Sequence, residues 1–514
     1  MLIRRAELED GTVQDVRVNA GRISAIGTLT PHPGEEVIDA NGGLLLPGLH
    51  DHHIHVAALA ASLNSVACGP PDVTDANALT ARLQTPGSGW LRGTGYHESV
   101  AGLLDRDTLD QMAPHRPVRI QHRTGRMWFF NSLGLDLILK HHPAPPGLER
   151  DGERLTGRLF DEDAWLRRVL AGTLPSFADV GSMLAQVGVT GLTDLSPAND
   201  AVIARHFAAE QERGALPQRV MLAGKPELTT ADMHGALEQL SSRMAHPAVK
   251  KVRPTRYLER RPAASWSQTA LKLGAAKLHL HDANLPALED AVSFIAQAHA
   301  RGRAVAVHCV TDVELMFALA AFDEAGAEPG DRIEHASIAP DHLVESIARL
   351  GLAVVSQPHF IAERGDIYRR EVEPEFQPVL YRLRAFRQAG VPLAGGSDAP
   401  YGGTDPWAAM AAAVSRRTKS GHIIAGQEAL TPEEALDLYL RDPENLRRRR
   451  RIEPGSDADL CLLNQPWAIV RHDLSARHVR ATFIGGQMWA ARQNAQTPAT
   501  HLPKRPSSAP STDP

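Results

Sequence analysis

Leu44-Leu45-Leu46-Pro47-Gly48-Leu49-His50-Asp51-His52-His53-Ile54-His55 is the stretch on which the fold turns. An apolar run passes a Pro-Gly turn and ends in alternating His53 and His55, which the two-residue period of a strand points the same way. Two imidazoles on one face of a strand end suit chelation of a divalent cation, and barrel chemistry sits at the carboxyl ends of strands. Alone, His-x-His is a weak signal, because a polar loop with adventitious histidines reads the same. Later strand ends supply the weight. Ala304-Val305-Ala306-Val307-His308 is a buried strand closing on a histidine, and Arg332-Ile333-Glu334-His335-Ala336 repeats the device. Val391-Pro392-Leu393-Ala394-Gly395-Gly396-Ser397-Asp398 then ends an apolar run in glycines and an aspartate. Each strand end offers a metal-competent side chain, in order along the chain.

Outward from that stretch, residues 1–46 alternate apolar and polar in short runs: Leu2 to Ala6, Val13 to Val18, Ile23 to Ile26, Glu36 to Ile38 and Gly43 to Leu46. Turn signals separate them, which predicts short antiparallel strands. The segment from Ile452 to Ala491 has the same character, with Asp459 to Leu463 and Val479 to Ile484 closed by Gly485-Gly486. Between these ends, strand-like runs alternate with helical stretches, as in Ala304 to His308 before Asp312 to Ala325, and Asp341 to Leu350 before Ala353 to Gln357. Repeated β-then-α at this length predicts an α/β chain with a parallel sheet closed into a (β/α)₈ TIM barrel carrying insertions. The organisation expected is 1–46 strand-rich, 47–452 barrel, 453–491 strand-rich, and 492–514 a disordered tail, being rich in Pro, Ser, Thr and Gln with few large apolar side chains.

Composition excludes other classes. The chain has 514 residues and a net charge of −5, with 43% hydrophobic and 22% charged residues, as in a globular enzyme. Cys68, Cys309 and Cys461 form no C-x-x-C pair, which points to a reducing compartment, the cytoplasm by default. Cys309 follows His308 and faces the other way on a strand, against a nucleophilic role. No apolar run long enough for a signal peptide or a membrane span occurs, so no membrane partner is expected. Nucleic acid is not expected either, because the only dense basic run, Arg447 to Arg451, reads as a solvated helix end before Pro454-Gly455. No phosphate-cradling or dinucleotide glycine motif is present. The 24 histidines are the anomaly.

With these motifs in place, the chain resembles the amidohydrolase superfamily, closest to the amidohydrolase-3 branch that includes N-substituted formamide deformylase. The resemblance runs from Asp15-Val16-Arg17-Val18 and Gly21-Arg22-Ile23 through Pro47-Gly48 to His55, Gly93-Thr94-Gly95, Asn131-Ser132, Gly188-Val189-Thr190, Arg332 to His335, Gln357-Pro358, Gly396-Ser397-Asp398-Ala399-Pro400 and Gly455 to Leu463. It implies a distorted (β/α)₈ barrel with a small composite β-sandwich built from both chain ends. It also implies that His53 and His55 hold one metal, His308 and His335 a second, and that Asp398 binds metal while exchanging the proton of the attacking water. Lys277 sits where many members carry a carbamylated lysine bridging two ions. A plain ammonium is a poor ligand, whereas its carbamate is a carboxylate analogue; a salt-bridged lysine is the alternative. Relatives often read Lys-x-x-x-Asp here, and His281 stands in place of that Asp. Strand alternation would put Lys277, His279 and His281 on one face, with the two histidines favoured as barrel filler or substrate contacts over substitute ligands. Arg126 replaces a histidine common before Asn131-Ser132 and could grip a substrate carboxylate, a surface ion pair being the duller reading. Tyr96, His97 and Trp128 are candidate pocket walls, with core packing the competing role.

The function implied is hydrolysis of a C–N bond in a small amide, formamide or N-acyl compound, by attack of a metal-bound hydroxide with Asp398 as general base and then acid. The cofactor expected is one or two divalent ions, zinc first, with iron, cobalt or manganese also compatible. A mononuclear deaminase or cyclic-amide hydrolase with unmodified Lys277 is the second reading. A catalytically inactive scaffold is the third, disfavoured because the ligand set is retained. The partner expected is a small-molecule substrate, and a homodimer is only a generic expectation.

Overall fold

The structure, a computed structural model, describes residues 1–491 apart from 71, 88, 171–173 and 234–269, so the tail expected over Arg492 to Pro514 lies outside the described residues. The chain divides into two compact units: residues 1–49, 185–190 and the described residues from Arg451 onward form one, and residues 50–184 and 191–450 the other.

The larger unit is built on an eight-stranded parallel sheet whose strands follow one another in chain order. They are β1 (Leu49–Ile54), β2 (Val189–Asp194), β3 (Arg219–Gly224), β4 (Leu271–His279), β5 (Val305–Cys309), β6 (Arg332–His335), β7 (Ala353–Ser356) and β8 (Leu393–Gly395). Their near-continuous apolar runs, such as Val305-Ala306-Val307 and Ala353-Val354-Val355, are what a sheet covered on both faces requires. The register sets Lys277 beside Ala306 and His308 beside Glu334. Just beyond β8, the Asp398 amide donates to the His53 carbonyl at 2.7 Å and the His55 amide to Ala399 at 2.9 Å, so the barrel is nearly closed. Nearer its other end Leu438-Tyr439 wedges the seam, with Gly395 donating to Leu438 and His50 to Tyr439. Connecting helices are punctuated by local chemistry. Asp312–Ala325 starts on a Thr311/Glu314 capping box. Asp341–Leu350 buries Leu343, Val344 and Ile347, worth roughly 1.5–3 kcal/mol each, and stops at Gly351, whose φ of 72° suits glycine.

Between β1 and β2 lies a second sheet that the sequence reading resolved only as insertion. Its six strands run in the order Leu148–Asp151, Arg154–Phe160, Met127–Phe130, Val118–His122, Leu91–Tyr96, Val66–Ala67. One apolar cluster packs Tyr96, Ile120 and Phe129, and another packs Trp128, Phe130 and Leu159.

The smaller unit holds two four-stranded sheets. Strands Arg22–Gly27, Val13–Asn19, Leu2–Glu7 and Val37–Asp39 form one, and Gln487–Ala491, Val479–Ile484, Leu460–Leu463 and Leu45–Pro47 the other. They share a core of Ile3, Val16, Leu45, Leu462 and Phe483. One pairing departs from the expected antiparallel pattern, because Val37–Asp39 runs parallel to Leu2–Arg4. Gly48 separates Leu45–Pro47 from β1, and only glycine fits there, since a Cβ would lie 2.1 Å from Thr190 Cγ2.

The run Arg447 to Arg451 is not a helix end. It is irregular chain that folds back along residues 439–442: Arg448 pairs with Asp442, Arg449 with Asp437 at 2.9 Å, and Arg450 donates to the Tyr439 carbonyl at 3.1 Å. These guanidiniums satisfy polar groups on the segment that wedges the barrel seam. Among the described residues no helix is long and apolar enough to cross a membrane.

Candidate metal centre

Ligand atoms of His53, His335 and Asp398 all lie within 4.8 Å of one another, and all three residues are buried. They come from β1, β6 and the turn after β8, at the carboxyl ends of parallel strands. Asp398 faces His53 Nε2 at 3.4 Å and His55 Nε2 at 3.1 Å through the same oxygen, Oδ1. Gly396 makes this approach possible, because a Cβ there would sit 2.5 Å from His53 Cβ. His335 and Asp398 hold φ values of 71° and 53°, left-handed geometry costing on the order of 1–3 kcal/mol each.

His53 and His335 are each oriented at Nδ1 by a hydrogen-bond partner. His53 Nδ1 meets Glu334 Oε2 at 2.6 Å, and His335 Nδ1 meets Gln357 Oε1 at 2.8 Å. An Nδ1–H donated to a carboxylate or amide oxygen leaves Nε2 with its lone pair, as at metal sites where an outer acceptor fixes the tautomer. His335 Nε2 is buried with no hydrogen-bond partner. His55 Nδ1 meets Ser196 Oγ at 3.1 Å. Asp51 accepts from the Ser397 amide at 2.9 Å and the His53 amide at 3.1 Å, tying β1 to the turn after β8.

Burial sets the electrostatics. It drives the His335 imidazole down to about 3 against the pull of Asp398. Burial works to raise Asp398, but the His55 hydrogen bond and the neighbouring imidazoles outweigh it and hold the carboxyl well below its usual range. Glu334 is likewise held low, by Arg332 and His53 against its desolvation. Lys277 lies inside the barrel at 4% exposure, its Nζ without a hydrogen-bond partner, and burial lowers its ammonium to about 8. His308 extends the cluster, its ring 4.5 Å from that of His335, and exposed His279 sets its ring 4.2 Å from that of His308, tilted by 35°.

Other candidates go elsewhere. β4 ends at His279, so alternation stops and His281 leaves the shared face; it is exposed and its Nδ1 accepts from the Ala283 amide at 3.2 Å. His279, being exposed, is not barrel filler. Arg126 spends its guanidinium on Asp161, in two 2.7 Å bonds at the surface. Tyr96 is fully buried, with its hydroxyl donating to Gly102 O at 2.5 Å, and Trp128 is packed under Arg92 and Arg119. His97 stands beside Ser99, its Nδ1 2.8 Å from Ser99 Oγ. Sequence reasoning assigned no role to Glu334 or Gln357, although a lone acid on an apolar strand beside His335 was the available signal.

The sequence profile of the amidohydrolase family matches residues 36–490. The chain is 27% identical to N-substituted formamide deformylase of Arthrobacter pascens, over 94% of this chain and 96% of that one. Its fold is similar to the crystal structure of an uncharacterized metal-dependent hydrolase from Pyrococcus horikoshii, with a TM-score of 0.70 at 21% identity, covering 93% of this chain and 99% of that one. A second such hydrolase, from Pyrococcus furiosus, gives 0.66 at 22% identity over 90% and 98% of the two chains. With its profile match taking in every strand of the barrel, the chain belongs to the amidohydrolase family.

Proposed function

We propose that the protein is a metal-dependent hydrolase that cleaves the C–N bond of a small amide, formamide or N-acyl compound. One observation carries the reading: three buried ligands, His53, His335 and Asp398, converge with His335 Nε2 left unpartnered. A buried polar atom without a partner is costly, and a cation removes that cost. The donor set of imidazole and carboxylate fits zinc first, held by His53, His335 and Asp398, with His55 and His308 alongside. Such a cation supplies Lewis acidity and makes water a nucleophile near neutral pH. Glu334 and Gln357 keep the ligating nitrogens aimed. Asp398 turns one oxygen to His53 and His55, leaving Oδ2 to take a proton from water and return it to the departing amine. Lys277 would serve as a second-ion ligand after its amine adds CO2 with loss of a proton. A site without hydrogen-bond partners and an ammonium lowered to about 8 favour the neutral amine that this addition needs. The named activity of the Arthrobacter relative supports the choice of N-substituted formamides as first substrates.

A single-ion site is the second reading, favoured by the fact that the tight cluster is one three-ligand set. Metal content of chelator-free protein separates the two. About two ions per chain, falling in Lys277→Ala, supports the bridged pair; about one, unchanged in Lys277→Ala, supports the single ion. Absence of metal after reconstitution refutes both. Asp398→Asn should lose about 10²–10⁴-fold in turnover on a formamide and amide panel, and near-wild-type rates in that variant would refute its role.

A further inference from the structure

The opposite end of the barrel carries a cavity of about 390 Å³ that the hydrolytic site does not use. Its wall takes in Gln388 and Gly390 to Leu393, the chain entering β8, with Arg384, Arg387, Arg441 and Arg447 and a single acid, Glu434. β8 and the turn after it lead from this cavity to Asp398 over five residues, at most roughly 16 Å at about 3.3 Å per residue.

The lining charge is unbalanced. Glu434 Oε2 is committed to the Thr431 amide at 2.8 Å, and Arg384 and Arg387 approach its carboxylate only to 3.5 Å. Asp437, the next acid, is shared among Arg387 at 3.2 Å, Arg449 at 2.9 Å and Arg441. Arg441 Nε is buried with no hydrogen-bond partner, and Arg447 is held by one bond, 3.1 Å to the Gly351 carbonyl ahead of β7. Guanidinium forks match tetrahedral oxyanions with parallel N–H···O bonds, so converging arginines with spare donors around a concavity suit a doubly charged oxyanion. We propose that this cavity binds phosphate, either free or as the phosphomonoester group of a small metabolite, at a site separate from the metal centre. It gives a use to Arg447, which, unlike Arg448, Arg449 and Arg450, is not spent on the segment that wedges the seam.

Titration of the metal-loaded, full-length protein with inorganic phosphate and with glycerol 3-phosphate, at ionic strength matched with chloride, tests the proposal. Saturable binding of one anion per chain is expected. Affinity should fall at least about tenfold in Arg387→Gln/Arg447→Gln and stay unchanged in the exposed control Arg370→Gln, with metal content constant throughout. Arg447→Gln alone gives up a single carbonyl bond and serves if the double variant does not fold. Tighter binding of glycerol 3-phosphate points to a metabolite, and equal binding to free phosphate. Three results overturn the proposal: no saturation beyond that of chloride, binding indifferent to both arginine variants, or binding that disappears with the metal.

Discussion

Replacing Lys277 with methionine should stabilise the metal-free protein while abolishing its capacity for a second ion. The side chain is 4% exposed with an unpartnered Nζ, and burial lowers its ammonium from 10.5 to about 8. That lowering corresponds to a penalty of about 3 kcal/mol on the folded state. Below pH 8 both folded and unfolded chains are protonated and the whole penalty is present. Between pH 8 and 10.5 the folded chain releases its proton first, the unfolded chain binds more protons, and stability rises with pH. Above 10.5 both states are neutral and the penalty is gone. Methionine is one atom shorter and carries no charge, so about 3 kcal/mol is a ceiling on the gain at pH 7. Imperfect filling of the space left by the ammonium brings it to about 1–3 kcal/mol. Thermal melts of both proteins in chelator and CO2-free buffer, from pH 6.5 to 10.5, measure the gap, which should close as pH climbs. Metal with bicarbonate should invert the order, since a ligand at 1,000 times its Kd adds about 4 kcal/mol to the form that binds it. A variant less stable than wild type at pH 7 without metal, or a gap indifferent to pH, would refute the reasoning.

Glu334→Gln keeps the shape but removes the charge that orients His53, and should weaken metal affinity about 10–100-fold in chelator competition; unchanged affinity would remove Glu334 from the site. Gly48→Ala sets a Cβ 2.1 Å from Thr190 Cγ2 and should cost about 1–3 kcal/mol in chemical denaturation. Thr190→Gly should recover part of that loss, and an additive double variant would count against the clash. Arg126→Ala breaks only a surface pair with Asp161, so a stability loss below about 1 kcal/mol is expected. The KM for carboxylate-bearing substrates should not move, and a selective rise would restore the substrate role of Arg126.

The barrel and the histidines at its rim were legible because both follow from period. Val305 to His308 and Arg332 to His335 read as strands from composition, and strand ends are where a barrel gathers its chemistry. Alternation failed where the backbone leaves the extended region. His335 has φ 71°, so Glu334 and His335, which a regular strand would turn apart, both serve the cluster. His281 misleads for a related reason: the strand ends two residues before it. Trp128 and Tyr96 carry no sequence mark that separates a pocket wall from a core. Their placement depends on the inserted sheet, whose register is set by pairings such as Trp128 with Gln121. The run Arg447 to Arg451 looked solvated because no local pattern reveals that Asp437 and Asp442 await it.

The two-sheet unit draws strands from both ends of the chain, and this sets the timing of its birth on the ribosome. Asp39, the end of the first sheet, and Leu460, the start of the last group of strands, are separated by some 420 residues. At a synthesis rate of about 5–20 residues per second the early strands wait roughly 20–85 s for their partners. Through that interval Ile3, Val16 and Leu45 have no Leu462 or Phe483 to cover them. While those intervening residues are made, the early strands expose an apolar, strand-forming face, and yield in a cell depends on whatever shields it until Leu462 and Phe483 emerge.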